Sequence, residues 1–149
     1  MTKRATISTF CSGWVLAMSA CHPTGVTQGR LENAFAPIFA NLIQTQETKL
    51  GYPRATARLL RASADCHRVG PGPETSIGGG QWICTVRWSI PARAIALRDT
   101  YDLSVTPDGC FTATADGSEA HVGGRTVTTP EGRTMTNLLF AFDGCFDPT

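Results

Sequence analysis

The sequence YDLSVTPDGCFTATA, residues 101–115, decides the fold because it contains two strands and the turn between them. Apolar and polar residues alternate on both sides of the turn, which is the period-two pattern of a strand with one buried face. Thr-Pro-Asp-Gly at 106–109 is a strong turn signal, since proline presets one turn dihedral and glycine accepts the left-handed one. The inward-facing residues are Tyr101, Leu103, Val105, Phe111 and Ala113. The stretch therefore predicts an antiparallel β-hairpin.

Three other segments are predicted to be strands. Residues 82–88 and 137–142 each place apolar side chains at alternate positions, and residues 126–129 form a weaker strand before the Pro130-Glu131-Gly132 turn. The apolar positions are Trp82, Cys84, Val86 and Trp88 in the first segment, and Leu138, Phe140 and Phe142 in the second.

A helix is predicted from Leu31 onward, because apolar residues recur there at spacings of three and four. Pro37 interrupts this pattern, so either the helix kinks at Pro37 or its regular part begins near Ala36. The polar residues 44–49 continue the helix as a solvated end, and Gly51 stops it.

A second helix is predicted over residues 54–64, with Pro53 at its start. Arg54, Arg58 and Arg61 share one face of it. Such a stripe could contact anionic lipid headgroups, but three arginines are fewer than the usual polybasic cluster, so a solvated face is the favoured interpretation.

Two glycine-rich stretches, residues 70–73 and 78–80, flank a loop without an apolar pattern. Glycine runs can bind phosphate where their amides converge at a helix N-terminus. Here a strand follows instead, so a flexible hairpin connection is predicted.

Residues 1–20 have the pattern of a signal peptide: Lys3 and Arg4, then an apolar run, then the small residues Ser19 and Ala20. The apolar part is too short and too polar for a transmembrane span, which needs about 20 consecutive apolar residues. Met-Ser-Ala-Cys at 18–21 resembles the lipobox of bacterial lipoproteins, which implies that Cys21 is acylated and becomes the mature N-terminus. The alternative is an ordinary signal peptide cut near Ala20. Residues 21–30 are then a polar tether, and residues 31–149 form a single domain.

Four cysteines remain once Cys11 is assigned to the leader and Cys21 to the lipid. An even number in an exported chain predicts two disulfides, for which three connectivities are possible. We favour Cys66–Cys84 and Cys110–Cys145, because each pair closes a neighbouring segment. No metal site is expected, since the chain lacks a Cys-x-x-Cys pair and histidines at metal spacing.

These elements predict an α+β domain in which one or two N-terminal helices pack on an antiparallel sheet of three to five strands with two disulfides. Of the 13 basic residues of the chain, Lys3 and Arg4 belong to the leader, so 11 remain against 12 acidic residues. This balance gives no support for nucleic-acid binding.

No residue pattern specifies a reaction. His22, His67 and His121 lie outside any recognised motif, and the chain contains neither Gly-x-Ser-x-Gly nor His-Glu-x-x-His. Five of the seven aspartates are expected mostly at turns, where Asp has a local structural role; they are Asp99, Asp102, Asp108, Asp143 and Asp147. We therefore expect no catalytic residues and no cofactor.

The chain as a whole resembles small surface lipoproteins exported by actinobacteria. The likeness rests on the leader ending at Cys21 and on the stretches 82–84, 107–111 and 137–145. It implies a location on the extracytoplasmic face of the cell membrane, with the lipid anchor as the membrane contact. The leading hypothesis is a non-enzymatic domain that binds an envelope protein, another envelope component or a small apolar ligand, or that has a structural role. An inhibitor or immunity-type protein acting on an envelope enzyme or a phage is the alternative, followed by a secreted hydrolase.

Overall fold

The computed structural model describes residues 25–52, 57–70, 77–90, 95–117 and 121–149. Their secondary structure is α1 (Gln28–Lys49), α2 (Ala57–Leu60), β1 (Ser63–Arg68), β2 (Gly80–Ile90), β3 (Ile95–Val105), β4 (Cys110–Ala115), β5 (Thr126–Thr128), β6 (Thr134–Thr136) and β7 (Ala141–Cys145). Five antiparallel strands form one sheet in the order β1-β2-β3-β4-β7, and β5 pairs with β6 in a small second sheet. The predicted α+β class, with helix packed on an antiparallel sheet, is confirmed.

Helix α1 covers one face of the five-stranded sheet. Its buried residues recur at helical spacing, and Phe35 and Phe39 contact Tyr101 at ring-centroid distances of 5.5 and 5.9 Å. Phe39 also packs edge-on against Trp88. Full burial of a large apolar side chain contributes about 1.5–3 kcal/mol, so this aromatic layer is a major part of the stability.

Pro37 lies inside α1 without ending it, so the expectation of a regular helix beginning only near Ala36 is wrong. Thr27 caps the helix by accepting a hydrogen bond from the Arg30 amide, ten residues before the proline. In a regular helix the Asn33 carbonyl would accept a hydrogen bond from the amide of residue 37, and a proline has no amide hydrogen. Pro37 and Asn33 are both exposed, so water can donate to this carbonyl instead. The predicted stop at Gly51, with φ of 78°, is confirmed.

The helix predicted over residues 54–64 is wrong at its C-terminal end. Residues 53–56 lie outside the described part of the chain; α2 ends at Leu60, and strand β1 begins at Ser63. Arg61 has a φ of 47°, which ends the helix. The ladder with β2 pairs Cys66 with Cys84, and these tertiary bonds outweigh the helix propensity of the Ala- and Leu-rich sequence.

The strand predicted over residues 137–142 lies further along the chain, at Ala141–Cys145. Asn137 is buried, and its side chain accepts a hydrogen bond from the Leu139 amide and donates to the carbonyls of Val122 and Gly124. An asparagine that bonds the backbone two residues on forms a turn in place of a strand.

The described chain already has regular structure before residue 31, where the predicted domain begins. Helix α1 already begins at Gln28, and Val26 is 1% exposed with its carbonyl accepting from the Gly78 amide. The described chain therefore belongs to the domain from Gly25 onward. Cys21 and the rest of residues 1–24 lie outside the described residues. Among those that are described, no helix has the length and apolar character needed to cross a membrane.

The glycines at 78–80 are closely packed, so the prediction of a flexible connection fails for these residues. A Cβ on Gly79 would lie 2.9 Å from the Val105 carbonyl oxygen and 3.0 Å from the Pro107 nitrogen. The Gly78 carbonyl accepts a hydrogen bond from the Trp82 indole at 3.1 Å. Glycine is required here because two backbone segments approach each other.

Candidate functional site

The four cysteines predicted to pair do so, and the favoured connectivity is confirmed. Cys66 and Cys84 are register partners on β1 and β2, and Cys110 and Cys145 are register partners on β4 and β7. Each disulfide thus links an edge strand of the five-stranded sheet to its inner neighbour. Pairing uses the thiols for structure, so they are not available as nucleophiles.

The other predicted residues are scattered. His67 is exposed on β1, and Asp108 forms a turn in which it accepts a hydrogen bond from the Thr106 hydroxyl, which lowers the pKa of Asp108. The expectation that the aspartates mostly lie at turns is wrong for Asp99, Asp102 and Asp143, which are strand residues. Asp102 lies in the strand that the alternation at 101–105 predicts, whereas Asp99 and Asp143 lie just outside the predicted strands.

Asp99 and His121 form the one contact between a carboxylate and a histidine that the described residues contain. The side chain of Asp99 is 1% exposed, and its Oδ1 accepts from the His121 amide at 2.6 Å. Its Oδ2 is buried and has no hydrogen-bond partner among the described residues. Burial raises the pKa of Asp99, opposed in part by the hydrogen bond from the His121 backbone.

The His121 ring is held against the sheet by its Nδ1, which lies 2.9 Å from the Arg98 carbonyl oxygen and 3.6 Å from Asp99 Oδ1. A proton on Nδ1 donates to that carbonyl and leaves Nε2 as the acceptor. Nucleophilic catalysis would need a hydroxyl or thiol bonded to this ring, and none is found in the described ranges. These residues also contain no cluster that could hold a metal ion. The arrangement therefore orients His121 but does not by itself define a reaction.

The face of the sheet opposite α1 is open and polar. Buried and exposed residues alternate along β3 and β4, so alternate side chains point away from the helix. This open face carries the exposed residues Arg87, Arg98, Asp102, Ser104, Thr112 and Thr114. Part of it is a threonine row, in which the hydroxyls of Thr85 and Thr100 lie 3.5 Å apart across β2 and β3.

Arg87 and Arg98 are direct register partners on this open face. Their Cβ atoms are therefore about 5 Å apart, a spacing at which like charges on adjacent strands repel. Neither guanidinium has a salt bridge or hydrogen bond to any other described residue. We call these two residues the arginine pair. It offers two sets of planar donors that match a carboxylate or another oxyanion.

Two carboxylates lie near the arginine pair on neighbouring positions of the sheet. Asp65 on β1 is opposite Thr85, in the row next to Arg87, and Asp102 is four residues from Arg98 on the same strand. Both are exposed. These carboxylates would repel a polyanion that lies along the open face. A surface with charges of both signs can be complementary to the carboxylates and to the arginine pair together. The face is thus suited to a protein partner that places an acidic group at the arginine pair.

Sequence reasoning missed the arginine pair because neither arginine belongs to a motif. Eleven residues separate them, and only the long β2–β3 register brings them together. The alternation around Trp82–Trp88 places Arg87 on the outer face, which was a usable signal, but Arg98 lies in a stretch that no pattern assigned to a strand. Comparison with protein-family models, curated proteins and solved structures found no match to the chain.

Proposed function

We propose that this protein is anchored by an acylated Cys21 to the extracytoplasmic face of the cell membrane and binds a protein partner of the envelope, which places an acidic group at the arginine pair, without catalysing a reaction. The observation that carries the binding proposal is the arginine pair. Two like charges in direct cross-strand register cost stability, and an incoming carboxylate would relieve their repulsion.

Two further features support the proposal. The sheet has disulfides at both edges, and such bonds persist in oxidising compartments outside the cytoplasm. Disulfides also hold the strands of the open face in fixed register, so little conformational freedom is lost when a partner binds. The leader and the Met-Ser-Ala-Cys sequence at 18–21 support export and acylation.

Fractionation of cells tests the anchor. The wild-type protein should sediment with membranes, and Cys21→Ser should be released while its domain stays folded. A Cys21→Ser variant that remains with the membrane would overturn the lipid anchor.

Site-specific photo-crosslinking in cells tests the binding face. The photoreactive residue is placed at Ala96, which is exposed on β3 two residues from Arg98, and at Asn41, which is exposed on α1, as the matched control. Position 96 should give a defined cross-linked protein that disappears in the Arg87→Glu/Arg98→Glu double variant, whereas position 41 should not. Equal cross-linking from both positions, or a product that survives the double substitution, would contradict the proposal. If the captured partner is an envelope enzyme that the domain inhibits, the inhibitor class is the correct refinement.

A further inference from the structure

We infer that the end of the domain that carries Val69 and Ile77 lies against the lipid bilayer, an inference that rests on the proposed acylation of Cys21. Val69 and Ile77 are 47% and 46% exposed, so part of each apolar side chain is accessible to a lipid. Val69 follows β1, and its amide donates to the Gln81 carbonyl; Ile77 pairs with Thr27 in an isolated bridge. Both therefore lie where the described chain enters the domain, and we call this the entry end.

The short segment between Cys21 and Thr27 limits how far the entry end can lie from a lipid on Cys21. A residue spans at most about 3.6 Å, so Cys21 stays within about 22 Å of Thr27 in any conformation. Thr27 is held to Ile77 by the bridge, and the neighbouring Val26 carbonyl accepts from the Gly78 amide at 2.7 Å. A lipid on Cys21 therefore keeps Ile77 close to the bilayer surface.

The end of the domain opposite the entry end is too far from Cys21 to be the membrane contact. Helix α1 begins at the entry end and its 22 residues extend about 33 Å. The arginine pair is also distant, since Arg87 lies seven residues along β2 from Gly80, or about 23 Å. Membrane contact at the entry end leaves the arginine pair facing away from the lipid, where a protein partner can reach it. Arg61 of the predicted arginine stripe lies two residues before Ser63, the register partner of Arg87, so it too is remote from the entry end.

The charges at the entry end are unevenly placed. Arg68 lies on the side of Val69 and Ile77, and its guanidinium contacts the Ile77 carbonyl at 3.5 Å. Asp108 and Asp147 lie on the other side, beside β4 and β7, where Arg30 offsets part of their negative charge. Anionic headgroups attract arginine and repel carboxylates, so the β1 side is the one that faces the lipid.

Quenching of tryptophan fluorescence by brominated lipid tests this orientation in the full lipidated protein. Ile77→Trp places a probe at the entry end, and Leu59→Trp is the matched control, because Leu59 is similarly exposed at 52% but lies beside Leu60, whose carbonyl accepts from Ser89 near the far end of β2. The native tryptophans should be quenched little by lipid, since Trp82 and Trp88 are 1% and 5% exposed and Trp14 leaves with the leader. The probe is a vesicle of phosphatidylcholine brominated in its acyl chains, with and without phosphatidylglycerol.

We expect bromolipid to reduce the fluorescence of Ile77→Trp but not that of Leu59→Trp or of the wild type. A vesicle-bound protein in which Ile77→Trp is not quenched, or in which both probes are quenched equally, overturns the orientation and leaves the anchor intact. A protein whose Cys21 carries no lipid and which does not bind vesicles overturns the anchor itself. Mass spectrometry of the N-terminal peptide distinguishes that failure from a failure of orientation.

Discussion

The carboxylate of Asp99 lies beneath His121 with only one of its oxygens satisfied. Oδ1 accepts the His121 amide at 2.6 Å, whereas the buried Oδ2 has no partner. Tyr101, two residues along β3, donates its hydroxyl proton to the Leu139 carbonyl. Burial raises the pKa of Tyr101, and the nearby Asp99 charge raises it further. Asp99 is thus a charge that the fold buries at a cost.

Asp99 should make the domain less stable as the pH rises. Burial raises the folded-state pKa of Asp99 above its ordinary value of 3.8, so the folded chain binds this proton more tightly than the unfolded chain. The contribution to stability is fully present below pH 3.8 and is lost as the pH rises through the folded pKa. Asp99→Asn should flatten the dependence of the urea midpoint on pH above pH 3.8, the ordinary pKa of the group. Asp102→Asn, an exposed carboxylate on the same strand, is the control. An Asp99→Asn profile that follows the wild-type curve would refute this assignment.

The two disulfides should differ in what their removal costs. The chain-entropy model assigns about 3 kcal/mol to the 18-residue separation of Cys66–Cys84 and about 4 kcal/mol to the 35-residue separation of Cys110–Cys145. Cys66 and Cys84 are both fully buried, so their truncation also removes core contacts, at about 1 kcal/mol for each sulfur. The packing term exceeds the difference in loop entropy. Cys66→Ala/Cys84→Ala should therefore destabilise more in urea titrations than Cys110→Ala/Cys145→Ala, and the reverse order would show that loop closure dominates.

The parts of the fold that were predictable are those with a local pattern. The hairpin at 101–115 shows clean alternation, and the disulfide pairing follows from which segments are neighbours. Strand β1 has no such pattern, since Cys66 is its one buried residue, and its place is set by pairing with β2. The turn at Asn137 depends on carbonyls of Val122 and Gly124 that are distant in sequence. The arginine pair depends on long-range register in the same way, so a local reading could not find it.

Gly79 should tolerate no side chain, although it lies in a glycine run that has the composition of a flexible loop. Its missing Cβ would meet backbone atoms of Val105 and Pro107, which cannot rotate away. Gly79→Ala should therefore lower the free energy of unfolding by about 1–3 kcal/mol, the usual cost of overpacking. Gly124→Ala is the matched control, because nothing lies within 4 Å of its Cβ position, and it should change stability by less than about 0.5 kcal/mol. Equal stabilities of the two variants in thermal unfolding would mean that the 78–80 segment is loose after all.

The arginine pair should destabilise the free domain, because its two like charges repel each other across the strands. Arg98→Glu converts a like-charge neighbour of Arg87 into an opposite-charge neighbour, and such exposed cross-strand pairs contribute about 0.2–1 kcal/mol. Each single variant, Arg87→Glu or Arg98→Glu, should therefore be more stable than the wild type in urea at low salt. The double variant restores two like charges and should lose that gain, so the cycle isolates the coupling between the two positions. Because the guanidinium groups are exposed, about 1 M salt should remove most of the differences. If the single variants were less stable than the wild type at both salt concentrations, the two arginines would stabilise the sheet. The repulsion on which the proposed binding site rests would then be absent.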